Sequence, residues 1–258
     1  MHNRKRIVMG AAVLATAALA LSACTPPGGG DSSDNGSDDG LTPVTLQLQW
    51  FAQAQFSGYY AAVDQGYYEA EGLDVTIQEG GADIVPQDAL TSGEVDYAIS
   101  WVPKVLGSIQ QGANITNVAQ IFERSATTQI SFKDKNITSI EDFKGHTVGS
   151  WGYGNEWEIF AGLQKAGLTV ADITLVTQAF DMLGMLQGDI DAAQAMTYNE
   201  YAQVLESINP DTGELYQPDE INVIDYNKVG VGMLQDSIWA DADRLANDPK
   251  YEETTVKF

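Results

Sequence analysis

Two short stretches of this sequence occur twice at one fixed spacing, and this repeat restricts the possible folds more than any other feature of the chain. Gly72-Leu73 returns as Gly167-Leu168, and Gly93-Glu94-Val95-Asp96 returns as Gly188-Asp189-Ile190-Asp191, both displaced by 95 positions. A looser match joins the run 44–49, which precedes Trp50, to 147–150, which precedes Trp151. Self-similarity at a fixed offset marks a structural plan used more than once.

That plan is readable from periodicity. Val44, Leu46 and Leu48 alternate, as do Leu73, Val75 and Ile77, which predicts strands. Ser57 suits the N-cap of a helix over 59–65 stopped at Gly66, and Asp83 that of a helix stopped at Gly93. The second copy predicts helices over 156–165 and 181–187, stopped at Gly167 and Gly188. Strands alternating with helices of this length imply β-α-β units, hence mainly parallel sheets flanked by helices. The expectation is an α/β, bilobal chain with lobe one at 44–138 and 225–258 and lobe two at 139–224. Crossovers are expected at 132–145, which is rich in Lys, Asp, Asn and Gly, and at 221–231. Residues 237–246 read as one helix followed by a polar tail. Lobe one would then be thinly covered, so the chain reads as C-terminally truncated.

The N-terminus carries an export signal. Arg4, Lys5 and Arg6 precede an uncharged run over 7–21 that ends in small residues, the pattern of a signal peptide over 1–23. A run of about 15 residues falls short of the ~20 that cross a bilayer as a helix, which makes a permanent span the weaker alternative. The only cysteine, Cys24, closes Leu21-Ser22-Ala23-Cys24, which resembles the lipobox of bacterial lipoproteins and marks Cys24 for lipidation. Acylation there would hold the protein at the extracytoplasmic face of the membrane. Residues 24–43 are rich in Gly, Ser, Asp and Pro and read as a flexible tether. The formal charge of −23 opposes nucleic acid and anionic surfaces as partners.

In open parallel sheets, ligands bind beyond the carboxyl ends of the strands. Applied to both copies, this rule gathers Trp50, Gln55, Phe56, Tyr59, Ser100 and Trp101 from lobe one. From lobe two it gathers Trp151, Tyr153, Asn155, Glu156, Tyr198, Asn199 and Glu200. Four of the five tryptophans fall in these loops, where flat rings offer large contact at low entropy cost. The polar residues are amides, hydroxyls and carboxylates, with Lys104 the one cation, and Lys104 reads as a surface residue at a helix start. Such a set suits a small flat N-heteroaromatic better than a sulfonate or phosphate. Glu200 and Glu156 are the expected acceptors for ring N–H or amino groups.

The runs Gln49-Trp50-Phe51-Ala52-Gln53-Ala54-Gln55-Phe56-Ser57-Gly58-Tyr59-Tyr60, Gly149-Ser150-Trp151-Gly152-Tyr153-Gly154-Asn155-Glu156 and Met196-Thr197-Tyr198-Asn199-Glu200 carry a further indication. They resemble the thiamine-pyrimidine (NMT1/THI5-like) group of substrate-binding proteins of ABC importers. The resemblance implies a type II periplasmic-binding fold that closes on its ligand, and a permease and an ATPase as partners. Thiamine pyrimidine precursors, or other flat heterocycles including flavins, are the implied ligands. By motif, Trp50 and Tyr59 would line the site from lobe one, and Tyr198 and Glu200 would supply a ring contact and an acceptor from lobe two. A monomer without cofactor or metal is expected.

An enzyme remains the alternative. Thiamine pyrimidine synthases share the superfamily but rely on a histidine, a Schiff-base lysine and a cysteine-rich stretch. This chain has no cysteine after Cys24, and its histidines are His2 and His146. A lipidated receptor without transport is a third reading, which the genetic neighbourhood would separate from import.

Overall fold

The computed structural model describes residues 40–81 and 83–258. The expected signal peptide, Cys24 and most of the tether lie outside them. The chain begins with β1 (Thr42–Gln47), α1 (Ser57–Asp64), α2 (Tyr67–Ala70), β2 (Leu73–Gln78), α3 (Pro86–Thr91), β3 (Tyr97–Trp101), α4 (Val102–Gln110) and β4 (Ile115–Gln120). It continues through β5 (Thr127–Phe132), β6 (Thr147–Ser150), α5 (Trp157–Lys165), β7 (Thr174–Thr177), α6 (Leu183–Leu186), β8 (Ala193–Met196), α7 (Glu200–Leu205), β9 (Ile221–Asp225) and α8 (Tyr226–Val229). It ends with β10 (Asp236–Asp241), α9 (Ala242–Asn247) and α10 (Pro249–Lys257).

The duplication is visible in strand order. One sheet runs β2-β1-β3-β10-β4. The other strands form β8-β5-β9 and β6-β7, joined by a parallel bridge between Val148 and Ala192, which gives the matching order β7-β6-β8-β5-β9. The repeated glycines hold equivalent places. Gly72 and Gly167 have φ of +79° and +72°, Gly93 and Gly188 of +77° and +82°, a left-handed conformation that ends a helix at little cost only for glycine. The result is the α/β bilobal type II architecture expected, with one difference. Both sheets are mixed, because β10 runs antiparallel to β3 and β4, and β5 antiparallel to β8 and β9. In each sheet the antiparallel strand is the one that arrives from the other half.

This exchange shifts the expected boundaries. β5 falls within the range given to lobe one, yet it pairs with strands of the second half. β9, expected to be part of the return crossover, is an outer strand of the second sheet. The chain therefore passes between halves at 121–126 and 230–235. The polar stretch 132–145 is polar because it turns at the surface between β5 and β6. Polar groups bind the two passages side by side, with Ala126 N donating to Gln235 Oε1 at 2.8 Å and Gln235 Nε2 to Ser125 Oγ at 3.1 Å, and Asn227 of α8 adds a bond from Nδ2 to the Ser125 carbonyl at 2.8 Å.

The stretch 237–246 is not one helix. Asp236 to Ala240 are all buried as strand β10, and only 242–247 is helical. A strand buried on both faces shows no alternation, so its apolar run cannot be told from a helix by period. Asp83 does not cap α3, which is preceded by Val85 and opens on Pro86. The polar tail is the packed helix α10. The Tyr97 ring stacks with Tyr251 at 5.4 Å and with Phe258 at 4.5 Å, and Tyr251 Oη donates to the Asp96 carbonyl at 2.5 Å. The first sheet is thus covered from the C-terminal side.

Candidate functional site

The loops after β1, β3, β6 and β8 converge between the two sheets, where strand ends from both copies meet. Gln49, Trp50, Gln53, Gln55, Trp101 and Lys104 form one wall of a cavity there. Trp151, Asn155, Met196 and Glu200 form the other. Trp101, Trp151 and Met196 pack into one buried cluster, with Ala126 and Tyr198 against it. At the surface, Trp50 meets Phe51 edge-on at 5.7 Å and Phe180 at 6.3 Å, and Phe51 and Phe180 lie 5.5 Å apart. Phe51 follows β1 and Phe180 follows β7, so this aromatic contact joins the halves. The space between the walls is narrow, about 40 Å³. The walls have to part before a ring can pass between them.

A buried carboxyl and a half-buried amine stand at the first wall. Asp236, the first residue of β10 and 2 % exposed, lies opposite Trp101 in the sheet. Its Oδ1 accepts from Trp101 Nε1 at 2.6 Å and from Gln49 Nε2. Burial pushes the carboxyl up to about 7, against the opposing effects of the Trp101 bond and the Lys104 charge. Lys104 Nζ lies over the Trp101 ring, 5.2 Å from its centroid. Desolvation pulls its ammonium down to about 8, opposed by the charges of Asp236 and Glu156. Lys104 is therefore a cavity residue, not the surface helix-start lysine expected. α4 begins immediately after β3, and its first turn faces the second half, where Lys104 packs near Gly154.

The expected site residues divide. Trp50, Gln55, Trp101, Trp151, Asn155 and Glu200 line the cavity. Tyr198 packs behind the tryptophan cluster and meets Phe122 edge-on at 6.2 Å. Phe56 and Tyr59 belong to the core of the first half, because α1 turns that face onto the sheet. Ser100 is buried inside its strand and donates to Gln87 Oε1 at 3.2 Å. Tyr153 is 72 % exposed, since the loop Gly152-Tyr153-Gly154 holds three successive left-handed residues that turn its ring outward. Glu156 stands at the start of α5 without capping it through its side chain, which instead accepts from Gly154 N of the preceding loop at 2.8 Å. Asn199 supports Glu200, donating from Nδ2 to Oε1 at 2.9 Å, while Glu200 Oε2 accepts from Met196 N at 2.9 Å. Both oxygens of Glu200 are thus engaged in bracing its own loop, and burial raises its carboxyl.

Sequence reasoning passed over Asp236, Gln49, Met196 and Lys104 as site residues. Gln49 was readable, standing next to Trp50 in the first motif. Asp236 was not, because its stretch carries no repeat partner and reads as a helix start. Several buried polar atoms around the two walls have no partner among the described residues: Gln49 Oε1, Gln55 Oε1, Asp236 Oδ2, Tyr59 Oη, Tyr198 Oη and Trp151 Nε1. Buried polar groups left this way cost about 1–3 kcal/mol each, and a ligand that bonds them recovers the difference.

Known proteins resemble this chain at several levels. A riboflavin-binding protein, RibY, of Chloroflexus aurantiacus is 28% identical over 169 residues, 64% of this chain and 48% of its own. A formylaminopyrimidine-binding protein of Halalkalibacterium halodurans is 25% identical over 194 residues, 74% and 58% of the two chains. A 4-amino-5-hydroxymethyl-2-methylpyrimidine phosphate synthase of Schizosaccharomyces pombe is 25% identical over 149 residues, 57% and 43%. The chain spans about half the length of these curated relatives. Among solved structures, the periplasmic aliphatic sulphonate binding protein SsuA of Escherichia coli aligns with a TM-score of 0.61 at 17% identity, covering 83% of this chain and 68% of that one. That likeness supports the fold. The family described as NMT1/THI5 like matches residues 53–253, and the chain belongs to that family.

Proposed function

We propose that the protein is the ligand-capturing component of an ABC importer, taking a small flat N-heteroaromatic between its two halves. The observation that carries this reading is the cavity itself, walled by Trp50, Trp101 and Trp151 and bordered by buried polar atoms without partners. Rings supply stacking surface, and the amides and carboxylates supply directional bonds. The family and two relatives named for riboflavin and formylaminopyrimidine binding support a heterocycle. In this reading Cys24 carries the lipid that holds the protein outside the cell membrane, the chain works as a monomer, and a permease and an ATPase receive the ligand. No helix among the described residues is long and apolar enough to cross a membrane.

Binding follows from closure. Ligand stacks on one wall while the halves are apart, and only the closed state contacts it from both, so ligand shifts the population toward closure. Calorimetry on the chain carrying Cys24→Ser, against hydroxymethylpyrimidine, formylaminopyrimidine, thiamine and riboflavin, tests the reading. Saturable binding of at least one ring is expected. Heat from none of them would remove it.

One observation favours a synthase instead. A lysine amine in a cavity, pulled down to about 8, is a competent nucleophile toward an aldehyde, and relatives include named synthases. His146, the one histidine among the described residues, is not in the cavity lining and bonds Asp191 Oδ2 at 3.2 Å. Borohydride reduction in the presence of pyridoxal phosphate would fix mass on Lys104 under the synthase reading and leave it unmodified under the binding one.

A further inference from the structure

The amide of a glutamine can present either an oxygen or an NH2 group to a ligand, and something else must decide which. At Gln49 that choice is made from behind the wall. Asp236 Oδ1 already accepts from Trp101 Nε1 and takes its second hydrogen from Gln49 Nε2. A carboxylate oxygen cannot pair with another acceptor, so the NH2 of Gln49 is tied inward. Gln49 Nε2 also donates nowhere else among the described residues, while its Oε1 is buried without a partner in a residue that lines the cavity. Gln55, on the same wall, also has a buried, unpartnered Oε1, although no bond to its own NH2 fixes that amide as Asp236 fixes Gln49. This wall of the cavity therefore offers acceptors.

Resting on the heterocycle-binding reading above, we infer that Asp236 is a positioning residue that fixes the Gln49 amide oxygen toward the ligand, so that the site selects rings that donate through an exocyclic amino group. An aminopyrimidine supplies two N–H bonds to the oxygens of Gln49 and Gln55. An imide edge, like that of a flavin, brings two carbonyl oxygens against the same wall and offers one N–H between them. Sites built to bond a ligand N–H reject the analogue that lacks it, because their own buried groups are then left unpaired.

The test compares two ligands that differ only at this edge, 4-amino-5-hydroxymethyl-2-methylpyrimidine and its 4-oxo counterpart. Calorimetry at pH 8, where Asp236 is charged, is run on the full chain carrying Cys24→Ser. The parent protein should bind the amino ring roughly thirtyfold more tightly than the oxo ring. Asp236→Asn frees the Gln49 amide to turn and should bring that ratio to within about threefold. A purely structural role for Asp236 would weaken both rings together and leave the ratio intact, which overturns the inference. Equal affinities in the parent protein overturn it as well. Should Asp236→Asn fail to fold by circular dichroism, Gln49→Leu decides: loss of the ratio supports the inference and a preserved ratio ends it. If the parent binds neither pyrimidine but binds riboflavin, this inference falls and the heterocycle reading stands. If it binds no ring, both fall.

Discussion

At Trp151 two properties of one side chain can be separated. Its ring walls the cavity, and its indole N–H is buried without a partner. Trp151→Phe keeps a stacking face and loses the donor, so it should weaken ligand binding by about 1 kcal/mol. Trp151→Ala loses the face too and should cost about 2–4 kcal/mol, with calorimetry on whichever ring binds as the measurement. Asp236 and Lys104 make a second residue-scale prediction, in stability. The folded carboxyl near 7 keeps a proton that the unfolded chain, near 3.8, has released, so stability falls as pH rises from about 4 to 7. The folded Lys104 ammonium near 8 loses its proton before the unfolded one near 10.5, so stability recovers between about 8 and 10.5. The thermal midpoint should therefore pass through a trough near neutrality, with Asp236→Asn flattening the falling arm and Lys104→Met the rising one. A falling arm untouched in Asp236→Asn would move the effect to Glu158 or Glu200, whose carboxyls burial also raises. The tryptophans were legible in the sequence because loop placement after a strand is a local property. The acid and the amine were not, because what makes them unusual is loss of water, which neighbours distant in sequence impose.

Among the elements, the loops after β1 and β7 bear most directly on the proposed opening and closing. They carry Phe51 and Phe180, which are 40 % and 50 % exposed and still touch each other and Trp50. An aromatic pair of this kind contributes about 0.5–1.5 kcal/mol beyond its burial, enough to bias an equilibrium between open and closed forms several-fold. Phe180→Ala should populate the open form and raise the radius of gyration measured by small-angle scattering without ligand. An unchanged radius would mean that the pair does not hold the halves together. Most elements were legible: β1 and β2 from alternation, α1 and α5 from their stops at Gly66 and Gly167. The errors sit at β5, β9 and β10. β5 falls in the range expected for lobe one, β9 in the range expected for the return crossover, and β10 reads as a helix. Strand membership in a sheet is a long-range pairing, and residues buried on both faces carry no period that reports it.

On the scale of the whole molecule, two similar halves meet across a thin cavity, tied through passages at 121–126 and 230–235 that are hydrogen-bonded to each other. Two bonded passages restrict relative motion to bending at one place, which suits closure on a ligand. The duplication at an offset of 95, the strand-end loops rich in aromatic rings and the acidic balance were all properties of the amino-acid order alone. They were enough for a two-lobed α/β chain with aromatic rings in the loops at its strand ends, because periodicity, glycine stops and residue type are local. Folding added the exchange of β5 and β10 between the halves, the burial of Asp236 against Gln49 and Trp101, and the turning of Tyr153 to solvent while Lys104 was brought inside. Those features arise from contacts between segments up to 187 positions apart, and such contacts set the hydration and partners of a side chain without leaving a mark on its immediate neighbours in the chain.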